Sequence, residues 1–91
     1  MTQLDIRMKL GLRIKELRAD KDVSQEWLAY KIGMSRTYLA EVEIGKRNIS
    51  AVNLERIANG LGVSLRSFFD SKLFSSTSTS AEEALAPEDA K

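Results

Sequence analysis

Apolar residues recur at helical spacing from early in the chain. Leu10, Ile14 and Leu17 share one face while Arg13, Lys15, Glu16 and Asp20 fall elsewhere, which predicts a first helix from about Leu4 to Asp20. The stretch DKDVS then breaks the pattern. Asp22 stands where the chain needs a left-handed residue, a place glycine fills more easily, and Ser24 follows as an N-cap. A second helix is expected over Gln25 to Ile32 with Leu28 and Ile32 inward, ended by Gly33, which can take positive φ. Ser35 caps a third helix, Arg36 to about Ile44, with Leu39 and Val42 inward and Gly45 as terminator. Ser50 caps a fourth, striped by Leu54, Ile57 and Leu61 and punctuated by Gly60 and Gly62. Ser64 caps a fifth, LRSFFDSKLF, over residues 65–74, with Leu65 and Phe68 facing inward. There is no strand signal and no internal repeat, so the expected fold is all-α, a compact five-helix bundle.

From Ser75 onward the text changes to SSTSTSAEEALAPEDAK, rich in serine and threonine and then acidic. Such a segment has too little apolar area to offset the entropy of ordering. The expected organisation is therefore one domain over residues 1–74 and a disordered acidic tail over 75–91. Ser80 with Glu83 forms a capping box that permits a frayed turn before Pro87, but an isolated helix this short is marginal in water.

Composition removes most alternatives to a binding protein. Ninety-one residues form one small core, and with no cysteine and no histidine there can be no disulfide, Cys/His zinc site, thiol nucleophile or imidazole acid–base chemistry. The acidic residues are scattered without a convergent pair, and no glycine-rich phosphate loop is present. No enzyme activity, metal, cofactor or small-molecule ligand is expected. No apolar run approaches the roughly 20 residues that span a bilayer, and MTQLDIRMKL lacks the apolar core of a signal peptide, so a cytoplasmic location without membrane contact is expected.

The net charge of +1 is divided unevenly: residues 1–74 carry 13 Lys and Arg against 9 Asp and Glu, while residues 75–91 carry 1 against 4. A basic folded part with an acidic tail permits a nucleic-acid partner without requiring one.

The joint between the second and third helices narrows the reading. GMS is the short glycine-containing turn that sets two helices at the steep angle of a helix-turn-helix unit. Such packing needs a small residue at the crossing, met by Ala29, a glycine in the turn, met by Gly33, and apolar residues that lock the unit to the core, met by Leu28, Ile32, Met34, Leu39 and Val42. With these positions filled, LGLRIKELRADKDVSQEWLA together with YLAEVEIGKRNISAVNLERIANGLGVSLRSFF resembles the Cro and phage-repressor class of helix-turn-helix regulators over about Leu10 to Phe69. Within that class, AYKIGMSRTYLAEVEIGKRNIS is most similar to the controller proteins of restriction–modification systems, which share the Arg-Thr-Tyr opening and the Gly-Lys-Arg-Asn-Ile-Ser loop. The resemblance implies an all-helical, repressor-like homodimer whose partner is double-stranded operator DNA. It also implies a salt bridge between Arg18, late in the first helix, and Glu43, ending the third. Other readings are a phage-type repressor or antitoxin, or a protein-interaction module that kept the fold and lost DNA binding; retained Arg36, Lys46 and Arg47 argue against the last.

The recognition helix of this motif enters the major groove with its N-terminal residues against base edges. Arg36 suits guanine, whose O6 and N7 can accept two bonds from one guanidinium. Thr37 can meet a thymine methyl or a phosphate. Tyr38 can contact a base, wall off the sugar and phosphate, or serve as half-buried packing. Ala40 and Glu41 lie farther along; Glu41 can accept from cytosine N4 or repel phosphates. Phosphate contacts are expected to flank the helix, from Gln25 at the start of the second helix, from Ser35, from Lys46, Arg47 and Asn48 in the loop, and from Ser50 at the next cap. Trp27 leaves the cap from Ser24 without its reciprocal acidic partner and is expected as a partly exposed aromatic packed on a neighbour, the alternative being a DNA or protein contact. In the fifth helix Phe69, Leu73 and Phe74 exceed what a small core needs and are expected as the dimer contact, with Phe69 and Leu73, four apart, on one face; the alternative is a larger monomer core.

Overall fold

Serine and aspartate caps set where each helix begins. In this computed structural model, which describes residues 4–75, the helices are α1 (Ile6–Lys21), α2 (Gln25–Ile32), α3 (Arg36–Glu43), α4 (Ala51–Gly60) and α5 (Leu65–Phe68), followed by a 3-10 turn, Lys72–Phe74. Asp5 accepts from the backbone N–H of Arg7 at 2.8 Å, and Ser24, Ser35, Ser50 and Ser64 each accept from the N–H three residues on at 2.9 to 3.1 Å. Each such cap is worth about 1 kcal/mol. Asp22 closes α1 in the left-handed region at φ 58°, the one non-glycine residue with positive φ among those described. Gly33 closes α2 in the same way at φ 66°.

The caps fix the helix ends, and the apolar stripes then bring the helices together. Ile14, Leu28, Leu39, Ile57 and Phe68 are completely buried, one from each helix, with Leu10, Leu17, Ala29, Val42, Ala58 and Leu61 around them. Two glycines let backbones meet where no side chain would fit. Gly11 puts α1 directly against the last turn of α3, at the carbonyls of Val42 and Glu43, and Gly60 lets α4 close on Ile32 of α2. Among the described residues there is no strand, and no helix is long and apolar enough to cross a membrane.

The fifth helix departs from the expectation. The apolar spacing of LRSFFDSKLF continues to Phe74, but α5 stops at Phe68, and the chain turns through Asp70 and Ser71 before the 3-10 turn. Arg13, on α1, provides the cause: its guanidinium donates to the carbonyls of Phe68 at 2.7 Å, Ser67 at 2.9 Å and Asp70 at 3.3 Å. A cation that takes the last carbonyls of a helix satisfies them without a further helical turn and complements the negative end of its dipole. Phe69 and Leu73 consequently do not stack on one helical face. Phe69 stands edge-on to Phe68 and Phe74, with ring centroids 5.2 and 4.9 Å away, while Leu73 lines a cleft with Arg13, Glu16 and Ala19 of α1. Leu65, expected inward, is 37% exposed, because in a helix of four residues Phe68 alone fills the core position. The expected start of α1 shifts from Leu4 to Ile6, since Asp5 is the cap. The acidic tail from residue 76 on, with the Ser80–Glu83 capping box, lies outside the described residues.

Candidate DNA-binding face

The turn between α2 and α3 is built from backbone bonds. Gly33 N–H donates to Tyr30 and Met34 N–H to the carbonyl of Ala29 at 2.9 Å, so the chain leaves α2 and re-enters α3 at Ser35 within three residues. Ala29, almost fully buried, allows the close crossing. The first turn of α3 is thereby held at a fixed angle with Arg36 and Thr37 exposed.

Arg36 is tethered only loosely. Its Nη1 is 3.8 Å from Oε1 of Glu26 on α2, and both side chains are mostly in water, where such a pair contributes little. Tyr38 is held much more firmly: half-buried against the core, its hydroxyl accepts from Nδ2 of Asn53 on α4 at 3.2 Å, and the guanidinium of Arg47 lies 5.2 Å from its ring centroid. Arg47 in turn donates from Nε to Glu41 at 2.7 Å. Tyr38, Glu41 and Arg47 thus form one cluster spanning the outer side of α3 and the following loop. Ala40 is half-buried beside them, and Lys46 and Asn48 are exposed in that loop, which leads through Ile49 to Ser50 and α4.

Beneath this surface lies an ion pair. Glu43, 2% exposed, receives Arg18 Nε at 2.7 Å on one oxygen and Arg18 Nη2 at 2.8 Å on the other, and Gln25 Nε2 adds a third bond at 3.0 Å. Arg18 also donates to the carbonyl of Val23 at 3.3 Å. The hydrogen bond to Glu43 holds the Arg18 guanidinium above its ordinary pKa, against the desolvation that opposes it. This arrangement fixes the ends of α1, α2 and α3 to one another. It also engages one of the two N–H donors of the Gln25 side-chain amide, at the N-terminal end of α2.

Two residues of the face escape a reading of the sequence. Asn53 and Arg56 look like ordinary polar positions of α4, yet Asn53 contacts Tyr38 and Arg56 donates from Nη2 to the carbonyls of Ile32 at 2.6 Å and Gly33 at 3.3 Å, across the helix-turn-helix joint. No local signal marks them, because their partners lie 15 to 24 residues away.

The expected dimer residues are placed unequally. Phe69 is 40% exposed, whereas Leu73 and Phe74 are half-buried. Trp27 is also half-exposed, with Lys31 Nζ 4.8 Å from its ring centroid. Among the described residues no group of His, Cys, Asp or Glu is arranged to hold a metal ion.

A tight α2–turn–α3 unit carrying exposed polar side chains on the first turn of its second helix defines a helix-turn-helix protein, and a model of the helix-turn-helix family (HTH_3) matches residues 14–68. The chain belongs to that family. It is 48% identical over 66 residues to the control protein C.MunI of Mycoplasma sp., a match covering 71% of this chain and 89% of that protein. Its fold is similar to the restriction–modification controller protein C.AhdI of Aeromonas hydrophila, at 42% identity and a TM-score of 0.67 over 70% of this chain and 97% of the other. It is similar as well to C.Esp1396I, solved as a tetramer in complex with its natural 35 base-pair operator, at 34% identity and a TM-score of 0.69 over 97% of this chain and 99% of the other.

Proposed function

We propose that this chain is a homodimeric, sequence-specific transcriptional regulator that controls a restriction–modification system by binding operator DNA at its own promoter. The observation that carries the reading is the first turn of α3, where a capped helix start presents Arg36 and Thr37 to solvent with Tyr38 braced behind them. Similarity to control proteins, one of them solved on its operator, supports the same reading. Arg36, Thr37 and Tyr38 read base edges, with Glu41 beside them. Ser35, Lys46, Arg47, Asn48, Ser50 and the backbone at Gln25 hold the flanking phosphates. Phe69, with Phe74 beside it, contributes to the contact between subunits. Such a regulator works in the cytoplasm with its DNA, and needs neither cofactor nor catalytic group.

The test is a footprint on the DNA upstream of the protein's own gene, with Arg36→Ala alongside. Two protected half-sites centred about one helical turn apart are expected, about 34 Å, with protection lost in the variant at the same protein concentration. Equal protection of unrelated DNA by both proteins would overturn the assignment.

A further inference from the structure

The side-chain amide of Asn53 has one end that donates and one that accepts, and its neighbours decide which faces where. Arg56 donates from Nη1 to Asn53 Oδ1 at 3.1 Å. A guanidinium has no lone pair to offer, so the amide oxygen must be the end that faces it. The amide nitrogen then faces the Tyr38 hydroxyl at 3.2 Å, and because that nitrogen only donates, the phenol oxygen accepts. Arg56 is itself anchored, since its Nη2 donates to the carbonyls of Ile32 and Gly33 at the C-terminal, negative end of α2. The sense of the chain of bonds is thus set by a guanidinium that can only donate, held in place by backbone carbonyls.

A phenol oxygen that accepts on its inner side keeps its own proton for the outer side. We propose that Asn53 and Arg56 are positioning residues that fix the polarity of Tyr38, so that its hydroxyl meets DNA as a hydrogen-bond donor. This rests on the reading that α3 enters the groove. The groups it would find are acceptors: purine N7, guanine O6 or thymine O4 on a base edge, or a phosphate oxygen. The amino groups of adenine and cytosine offer that proton no acceptor. Arg47, over the ring face, keeps the phenol from swinging away from this alignment.

Asn53→Asp tests the polarity directly, because a carboxylate still accepts from Arg56 but can only accept from Tyr38, which draws the phenol proton inward. Operator affinity is expected to fall about tenfold, the size of one lost hydrogen bond, and the same fall is expected of Tyr38→Phe. Once the added charge is corrected by the loss seen on random DNA, Asn53→Asp should cause no further loss in the Tyr38→Phe background. A panel of operators altered one base pair at a time separates the two acceptor sources: a shifted preference at one position in Asn53→Asp marks a base edge, and unchanged preferences mark a phosphate. Arg56→Met, which frees the amide to turn over, is the second variant should Asn53→Asp fail to fold, with a smaller loss of about threefold that also vanishes in the Tyr38→Phe background. The proposal is overturned if either substitution acts undiminished when the hydroxyl is gone, or if Tyr38→Phe binds normally while Arg36→Ala does not. If Arg36→Ala also binds normally, it is the reading of α3 itself that fails.

Discussion

Gly11 of α1 rests on the backbone of Glu43 at the end of α3: a Cβ at Gly11 would stand 2.6 Å from the carbonyl carbon of Glu43 and 2.6 Å from the carbonyl oxygen of Val42. Those atoms belong to the main chain of a helix and cannot move aside as a flexible side chain would. Ordinarily alanine in a helix interior is favoured over glycine by about 1 kcal/mol. Here the clash decides the sign, and Gly11→Ala is expected to destabilise the domain by a net of about 1 to 3 kcal/mol, the usual range for overpacking. Urea unfolding followed by circular dichroism measures it. An unchanged or raised midpoint would show that α1 and α3 can part without loss.

The same end of α3 carries the buried carboxylate of Glu43. Glu43→Ala strands Arg18 and Gln25 without their shared partner, and a loss of about 3 kcal/mol is expected, the lower end for a broken buried pair because Arg18 keeps some contact with water. Replacing both ions by apolar residues, Arg18→Met with Glu43→Leu, should lose far less, since no unpaired charge remains. Chemical denaturation of Arg18→Met, Glu43→Leu and the double variant gives the coupling. Additive losses would mean that the two residues act independently.

Much of this was legible in the sequence for a local reason. A serine cap and an apolar stripe act within one or two helical turns, so the starts of α2, α3, α4 and α5 and the inward residues Ile14, Leu28, Leu39 and Ile57 could be read directly from spacing. The end of α5 could not. FFDSKLF keeps a helical apolar spacing, and the group that stops the helix, Arg13, stands 55 residues before the carbonyl of Phe68 that it captures. At the candidate site the division is similar. Arg36 and Thr37 follow from the position of the turn, whereas Tyr38 depends on Asn53, and Asn53 on Arg56, through contacts between helices that no periodicity encodes.

The pairing of Arg47 with Glu41 bears on discrimination between operator and bulk DNA. Arg47 gives its Nε to the Glu41 carboxylate at 2.7 Å, which leaves its two NH2 groups for a phosphate but sets a negative charge beside them that opposes the phosphate. Glu41→Gln removes that negative charge from the face. It should tighten binding to random DNA by several-fold and steepen its salt dependence by about one unit. Arg47→Ala should do the reverse, weakening operator and random DNA about equally and lowering the slope by about one. Titrations of both variants at several salt concentrations decide the matter. A new preference at one base pair in Glu41→Gln would instead assign Glu41 to a cytosine amino group.

The break after α5 separates two residues that an unbroken helix would have placed together, and this makes the subunit contact testable at single positions. Phe69 is left outward against Phe68 and Phe74, whereas Leu73 is half-buried and lines a cleft shared with Arg13, Glu16 and Ala19 of α1. Phe69→Ser therefore removes apolar surface available to a second subunit while leaving the fully buried Phe68 in place. A folded monomer is expected by sedimentation, with far-UV helicity retained. A monomer engages one half-site at a time and forgoes the effective concentration that a tethered second site provides, so operator affinity should fall by about a hundredfold or more. Leu73→Ser should behave differently, lowering the melting temperature by loosening the turn from α1 while association stays as it was. If Phe69→Ser remains a dimer, the contact between subunits does not depend on Phe69, and exposed Val52 on α4 is the next apolar position to change.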